Sequence, residues 1–278
     1  MNPHDGDRAG TTDTTIVANG ISHRVRIDGD SGPWVVFSNS LGTTLEMWDA
    51  QVLALPGHRV LRYDTRGHGG TAAPPGPYTL EELADDLIGI LDGVGVDECA
   101  FVGLSLGGMI GQVAMLKAPH RFRCAVLADT TSRYGPEAAE RFNTRIETAL
   151  HSGLGPIADT IPASWFTADF PSRKPDTVAR FQAMLAGNDP EGYAGCCAAI
   201  PAIDVTDRLA ELSFPVRVIV GQQDHSTTVE HARRIVEHLP DADLVIIPHA
   251  AHLSNVEQPD VFNDALVSFV EKTMPSTQ

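Results

Sequence analysis

Cysteine, positive charge and long apolar runs are all scarce in this sequence of 278 residues. No apolar run approaches the roughly 20 residues that a membrane-spanning helix needs, so the sequence predicts a soluble protein. Lysine and arginine number 20 against 36 aspartates and glutamates, which gives a formal net charge of −16. Because nucleic acids and anionic membranes bind basic surfaces, we expect neither as a partner.

The four cysteines favour neither disulfides nor a metal site. Cys99 and Cys124 fall in apolar, strand-like runs, and Cys196 and Cys197 are sequence neighbours, which is a poor geometry for a disulfide. We expect buried thiols and no bound metal, because no Cys/His spacing matches a metal site. Residues 1–15 are polar and lack the apolar core of a secretion signal, which predicts a disordered leader and a cytoplasmic protein.

Short apolar runs rich in β-branched residues alternate with helix-like stretches. The runs predict strands at residues 23–27, 34–38, 59–63, 99–103, 124–129, 216–220 and 243–248. Several are apolar nearly throughout, as in strands covered on both faces. The pattern predicts an α/β fold with a mostly parallel central sheet flanked by helices. One helix is expected after Thr79, which forms a Thr-x-x-Glu capping box with Glu82.

Strand signals stop between residues 129 and 216, where alanine, arginine and aromatic residues become frequent. Helix-like stretches fall there at about 137–151, 176–187 and 191–199. We therefore expect an inserted helical cap over residues 133–212, on a core formed by residues 16–132 and 213–278.

Ser105 stands where an apolar run meets a helix-forming run, in the sequence Gly103-Leu-Ser-Leu-Gly107. One interpretation is an ordinary helix N-cap, which is a common role of serine at such junctions. The other is a nucleophile, because the G-x-S-x-G pattern permits a strained turn that side chains at the glycine positions would obstruct. The second interpretation requires a base and an acid later in the chain.

Asp224 and His252 follow the last two predicted strands, and both lie on loops where an acid and a base are required. Each has a plainer interpretation, Asp224 as the cap of the next helix and His252 as an ordinary loop histidine. The order Ser, Asp, His favours a catalytic triad. His249 and His225 are nearby alternatives, but His249 follows its strand too closely and His225 adjoins the proposed acid.

Acyl transfer also needs N–H donors for the oxyanion. The backbone amide of Leu106, directly after the nucleophile, is one candidate. Leu41 is the other, because it lies in the loop after the strand at 34–38 and Gly42 lets that loop turn inward. We interpret the Asp64-Thr-Arg-Gly-His-Gly stretch as a structural loop.

Taken together, these motifs resemble the α/β-hydrolase superfamily, and in detail the 3-oxoadipate enol-lactonases of bacterial aromatic catabolism. The likeness covers roughly residues 23–270 and is strongest in "SNSLGTTLEMWD", "LRYDTRGHGG", "GLSLGGMIGQ", "GYAGCCAAI" and "AHLSNVEQP". It implies an α/β-hydrolase fold with a helical cap. It also implies a Ser105, Asp224 and His252 triad, an oxyanion hole at Leu41 and Leu106, and hydrolysis of 3-oxoadipate enol-lactone without a cofactor.

The cap departs from that family, which often has an arginine before its Trp-Phe pair, whereas Ser164 precedes Trp165 here. We expect Trp165, Phe166 and Met184 to form apolar walls over the serine, or alternatively to hold the cap together. An anionic substrate needs a local cation, and Arg133, on the loop that enters the cap, is the candidate; its plainer interpretation is a surface ion pair.

Two other functions share this pattern. A carboxylesterase, a thioesterase or a carbon–carbon bond hydrolase would keep the triad and differ in the cap. A ligand receptor would keep the hydrolase fold without depending on turnover, although an intact triad disfavours it. Activity on a nonspecific ester, and its loss in a Ser105→Ala variant, distinguishes the enzymes from the receptor.

Overall fold

A computed structural model of the protein describes residues 10–275. Within these residues, strands form one sheet in the order β1-β2-β4-β3-β5-β6-β7-β8. The strands are β1 (Thr12–Ala18), β2 (Ile21–Asp28), β3 (Trp34–Ser38), β4 (Arg59–Tyr63), β5 (Cys99–Leu104), β6 (Phe122–Ala128), β7 (Val216–Gly221) and β8 (Ala242–Ile247). Strand β2 pairs antiparallel with β1 and β4, and all other neighbours run parallel. The predicted mostly parallel sheet is confirmed.

Helices connect the strands and flank the sheet. The α-helices are α1 (Asp49–Leu53), α2 (Leu80–Val94), α3 (Leu106–Lys117), α4 (Glu137–Ser152), α5 (Gly155–Thr160), α6 (Pro162–Trp165), α7 (Phe170–Arg173), α8 (Pro175–Ala186), α9 (Pro190–Ala199), α10 (Val229–His238), α11 (Ser254–Glu257) and α12 (Pro259–Thr273). Short 3₁₀ helices cover Leu45–Trp48, Pro119–Arg121, Ile200–Ala202 and Thr206–Glu211. Helix α2 begins with the predicted capping box between Thr79 and Glu82.

The first strand was not expected from the sequence. The leader predicted for residues 1–15 is wrong for its last part, because β1 begins at Thr12; residues 1–9 lie outside the described part of the chain. Strand β1 pairs only with β2 at the sheet edge and exposes most of its polar side chains. An edge strand of this kind lacks the continuous apolar run that marks the buried strands.

Between β6 and β7 the described chain contains helices and loops but no strand, and helices α4 to α9 occupy the region where a cap was expected. This region reaches the loops at the carboxyl ends of the sheet strands. Asn188 donates a hydrogen bond to the carbonyl of Gly42 after β3, at 2.9 Å. The carbonyl of Trp165 accepts one from the backbone N–H of Leu253 after β8, at 3.0 Å. The exact cap boundaries, 133 and 212, remain a prediction.

The central strand β5 is buried along its whole length, and so is α3 from Leu106 to Met115. These two elements approach β3 so closely that no side chain fits between them. A Cβ added to Gly107 would lie 2.1 Å from the carbonyl oxygen of Ser38. The turn that joins β5 to α3 is therefore held in place by packing on both sides.

Gly107→Ala is expected to lower the free energy of unfolding by about 3 kcal/mol, the upper part of the usual range for overpacking, because backbone must move to admit the methyl group. Gly155→Ala is the matched control, since nothing lies within 4 Å of the added Cβ. Urea unfolding monitored by circular dichroism measures both. Equal stability of the two variants would contradict the packing described for the turn.

Candidate active site

Ser105 lies on the sharp turn between β5 and α3. Its backbone is left-handed, with φ 56° and ψ −115°, a conformation that costs a non-glycine residue energy and persists only where packing enforces it. The side chain makes no capping hydrogen bond to α3, so the N-cap interpretation does not apply. A Cβ on Gly103 would lie 2.5 Å from the carbonyl oxygen of Gly107, which confirms the predicted need for small residues on both sides.

The structure brings Ser105, His252 and Asp224 into one hydrogen-bonded line. His252 Nε2 lies 2.9 Å from Ser105 Oγ, and His252 Nδ1 lies 2.8 Å from Asp224 Oδ2. All three residues are buried. The alternative histidines His225 and His249 are exposed. This geometry is the one in which a histidine can take the serine proton while a carboxylate fixes its ring.

The loop after β7 holds Asp224 ionised. Its carboxylate accepts hydrogen bonds from the backbone N–H of Ser226 at 2.7 Å and of Thr227 at 3.0 Å, and from Thr227 Oγ1 at 2.7 Å. Burial by itself would raise the pKa of Asp224, but the His252 charge and these bonds bring it below its ordinary value. Burial would likewise lower the pKa of His252, yet the charge and hydrogen bond of Asp224 raise it.

A second carboxyl group beside the triad was not predicted. Asp129 follows β6, is fully buried and has a φ of 43°. It accepts hydrogen bonds from the backbone N–H of Gly221 at 2.7 Å and from the Ser254 hydroxyl. These partners lie at the roots of the loops that carry Asp224 and His252. Burial and the Asp224 charge raise the pKa of Asp129 above its ordinary value.

Glu257 joins the histidine loop to the cap region. Its buried carboxylate accepts a hydrogen bond from the backbone N–H of Ala251 at 2.9 Å, and others from the backbone and hydroxyl of Thr167. The backbone N–H of Leu253 donates to the carbonyl of Trp165, at 3.0 Å. Both neighbours of His252 are thus tied to residues 165–167. The sequence showed Glu257 within "AHLSNVEQP" but carried no signal of this contact.

The two expected oxyanion donors lie on either side of Ser105. Leu41 lines the cavity above the serine, and Leu106 follows the serine at the first position of α3. Among the described residues, no group accepts a hydrogen bond from either backbone N–H. Both donors are therefore available to an oxygen bound at Ser105, and their role remains a prediction.

The cavity above Ser105 carries positive charge. Arg141 and Arg145 of α4 line it together with Tyr134, Ser164 and Trp165, and no described Asp or Glu does. Neither guanidinium forms an ion pair with a carboxylate of the described residues. Arg141 instead lies 5.4 Å from the ring centre of Tyr134. The cavity is small, with about 30 Å³ of space for a water-sized probe.

The predicted cation Arg133 does not belong to this cavity. Its guanidinium binds Asp204 and, at 2.7 Å, Asp207, and its side chain is 39% exposed. The prediction that Arg133 binds the substrate carboxylate is therefore wrong, and the plainer interpretation of a surface ion pair is correct. The cations in the cavity, Arg141 and Arg145, are one helical turn apart, a spacing that the sequence displays and that could have indicated them.

Of the three predicted apolar wall residues, only Trp165 lines the cavity. Phe166 stacks on Phe170 with ring centres 4.6 Å apart and meets Phe181 edge-on at 6.1 Å. Met184 packs against the hydrophobic core and does not reach the cavity. The prediction is wrong for Phe166 and Met184, because Phe166 belongs to a buried aromatic cluster and Met184 packs against the core.

Neither a metal centre nor a membrane segment is found in the described chain. Within residues 10–275 no group of three or more His, Cys, Asp or Glu residues is placed to hold a metal ion. No helix in the same part of the chain is long and apolar enough to cross a membrane. All four cysteines are buried free thiols, as predicted.

The fold and site define a class of protein. Residues 33–259 match the family described as the α/β hydrolase fold, and the chain belongs to this family. It is a hydrolase that acts on carboxylic esters, and the resemblance to the enol-lactonases is confirmed by named relatives.

Two relatives from Acinetobacter baylyi and one solved structure carry the closer comparison. The chain is 39% identical to 3-oxoadipate enol-lactonase 2 over 86% of its own length and 89% of that protein. It is 33% identical to 3-oxoadipate enol-lactonase 1 over 89% of its own length and 92% of that protein. The enol-lactonase structure from Burkholderia xenovorans LB400 is 38% identical, with a TM-score of 0.89 and coverage of 92% and 99% of the two chains.

Asp224→Asn is expected to shift the acid limb of the pH profile. With His252 as the expected general base, we expect activity to require its neutral form, so kcat/KM is expected to fall as the pH drops through the histidine pKa. Because the Asp224 charge raises that pKa, its removal moves the limb to lower pH, and kcat falls by about 10⁴-fold through loss of the correct tautomer. Asp207→Asn, at a surface carboxylate, is the control. An acid limb that stays at the same pH in Asp224→Asn would contradict the pairing of Asp224 with His252.

Proposed function

We propose that this protein hydrolyses 3-oxoadipate enol-lactone to 3-oxoadipate in the breakdown of aromatic compounds. The observation that carries the proposal is the Ser105–His252–Asp224 line beneath a cavity whose lining holds two arginines and, within the described chain, no carboxylate. The substrate is an unsaturated lactone that bears a carboxymethyl group. Cleavage of its ester bond requires a nucleophile such as the serine, and binding of its carboxylate requires positive charge in the cavity.

The first half of the reaction opens the ring. Ser105 Oγ attacks the lactone carbonyl while its proton passes to His252 Nε2, and the oxyanion takes hydrogen bonds from the amides of Leu41 and Leu106. The bond to the ring oxygen then breaks, and that oxygen leaves as an enolate, to which His252 returns the proton. An enolate is a better leaving group than an alkoxide, so this step needs no metal ion.

The second half releases the product. Water attacks the acyl group on Ser105 with His252 as the general base, and the serine recovers its proton when the new carboxylate departs. The enol formed in the first half tautomerises to the ketone, which gives 3-oxoadipate. One water molecule is consumed, and no other reactant is needed.

We expect the two arginines to orient the anionic substrate. Arg145 is half-buried and its charge acts on His252, where it lowers the pKa, whereas Arg141 is more exposed. A guanidinium can bind a carboxylate through two parallel hydrogen bonds. In a protein with a net charge of −16, such a local cationic patch is what lets an anion approach.

Ser105→Ala is expected to lower kcat for the enol-lactone by at least about 10⁴-fold, because the remaining site cannot form an acyl-enzyme. Ser268→Ala, at an exposed position of α12, is the control and retains full activity. Spectrophotometric loss of the lactone measures both. A Ser105→Ala variant that keeps more than about one hundredth of kcat would exclude this serine as the nucleophile.

Arg145→Ala is expected to raise KM for the enol-lactone by about 10- to 100-fold, the value of a charged hydrogen-bond partner, and Arg141→Ala by less. Hydrolysis of p-nitrophenyl acetate, which has no carboxylate, stays nearly unchanged. Arg133→Ala is the matched control and alters neither substrate. Equal losses on both esters would indicate structural damage, and faster turnover of neutral esters than of the lactone would favour a carboxylesterase.

A further inference from the structure

The loop that carries the expected oxyanion donor Leu41 is held by residues of the loop after β4. Asp64 accepts a hydrogen bond from the backbone N–H of Leu45 at 2.8 Å, near the end of the first loop. His68 accepts one from the backbone N–H of Gly42 at 2.9 Å, directly beside Leu41. The Asp64-Thr-Arg-Gly-His-Gly stretch is therefore more than a tight connection between elements.

His68 is fixed in one tautomer. It is buried, and its other ring nitrogen, Nδ1, lies 3.2 Å from the carbonyl oxygen of Arg66, which can only accept a hydrogen bond. Nδ1 therefore carries the proton, and Nε2 is left as the acceptor for the Gly42 N–H. Burial lowers the pKa of His68 to about 4, so the ring stays neutral and the acceptor stays available at neutral pH.

The cap region holds the same glycine from the other side. Asn188, between α8 and α9, donates from Nδ2 to the carbonyl of Gly42 at 2.9 Å and accepts at Oδ1 from the backbone N–H of Gly69 at 2.8 Å. Gly42 itself has a φ of 81°, and a Cβ there would lie 2.9 Å from Leu185 Cδ1. Both peptide groups of Gly42 are thus bound by side chains.

We propose that His68 is a positioning residue for the oxyanion hole, acting through the peptide that joins Leu41 to Gly42. The Leu41 N–H belongs to the preceding peptide, which meets this one at the Leu41 Cα. Holding the Leu41–Gly42 peptide through its N–H therefore limits the backbone rotation at Leu41 that would turn the Leu41 N–H away from the oxygen that develops charge when Ser105 attacks. Without the acceptor, the buried Gly42 N–H loses its partner, and the peptide rotates to regain one. This inference rests on acyl transfer at Ser105 and not on which ester is hydrolysed.

Two amide substitutions separate this role from general packing. His68→Gln places an oxygen near the position of Nε2 and can keep the bond to Gly42. His68→Asn reaches only as far as Nδ1 and loses that bond. For p-nitrophenyl acetate, we expect His68→Asn to lower kcat by about 10- to 100-fold, less than the loss of a whole oxyanion donor, with KM unchanged. We expect His68→Gln to stay within about threefold of the wild type, a small change on the same scale.

A trifluoromethyl ketone gives a second readout. Ser105 Oγ adds to its carbonyl carbon, the serine proton passes to His252, and the resulting oxyanion occupies the hole. His68→Asn is expected to weaken its inhibition by the same factor as kcat/KM falls, whereas His68→Gln binds it normally. If both variants lose kcat equally, or if only KM changes, the proposal is overturned.

Asn188→Asp supplies an independent test that holds even if His68→Asn fails to fold. The aspartate keeps the acceptor for Gly69 and removes the donor to Gly42, so kcat for p-nitrophenyl acetate is expected to fall while KM stays constant. An unchanged kcat would contradict the proposal. Because the probe ester is neutral, neither result depends on whether the enol-lactone is the substrate, and failure of one proposal is distinguishable from failure of the other.

Discussion

The line of hydrogen bonds from Asp224 through His252 to Ser105 is the constraint that organises this molecule. It requires loops from β5, β7 and β8 to meet with contacts of 2.8 and 2.9 Å. The parallel sheet makes this possible, because neighbouring strands end at one edge. Strand β6 lies between β5 and β7, and Asp129 at its end binds the roots of both other loops. The buried carboxyl groups around the site thus position the backbone that carries the triad.

The protein has a negative net charge, whereas the cavity at its site carries positive charge. A net charge of −16 repels anions at long range, yet the cavity above Ser105 places Arg141 and Arg145 where no described carboxylate neutralises them. Arg133 differs from these two arginines, because its guanidinium forms ion pairs with two exposed aspartates. An arginine pairs with the nearest acid unless the fold keeps acids away. We expect this arrangement to favour anionic esters, because the cavity lining supplies cations and, within the described chain, contains no carboxylate.

Most of the sheet strands and the three residues Ser105, Asp224 and His252 could be predicted from the sequence, because each of these features leaves a local pattern. Buried parallel strands are apolar throughout, and the nucleophile turn needs glycines at fixed spacing. The polar edge strand β1 left no such pattern. Arg133, Phe166 and Met184 were misplaced for another reason: which side chains face the cavity depends on how the cap helices pack. The contacts by which His68, Asp129 and Glu257 support the site mostly join residues far apart in the chain, as from His68 to Gly42 or from Asp129 to Gly221, so sequence spacing does not reveal them.

We propose that a cationic cavity delivers an anionic lactone to a serine nucleophile. The most direct measurement is the ratio of kcat/KM for the enol-lactone to that for the same lactone with its carboxylate replaced by a primary amide, on the wild-type protein. We expect the carboxylate form to be preferred by about 10- to 100-fold, the value of a charged hydrogen-bonding partner. Equal rates for the two lactones, or faster hydrolysis of the amide, would contradict it.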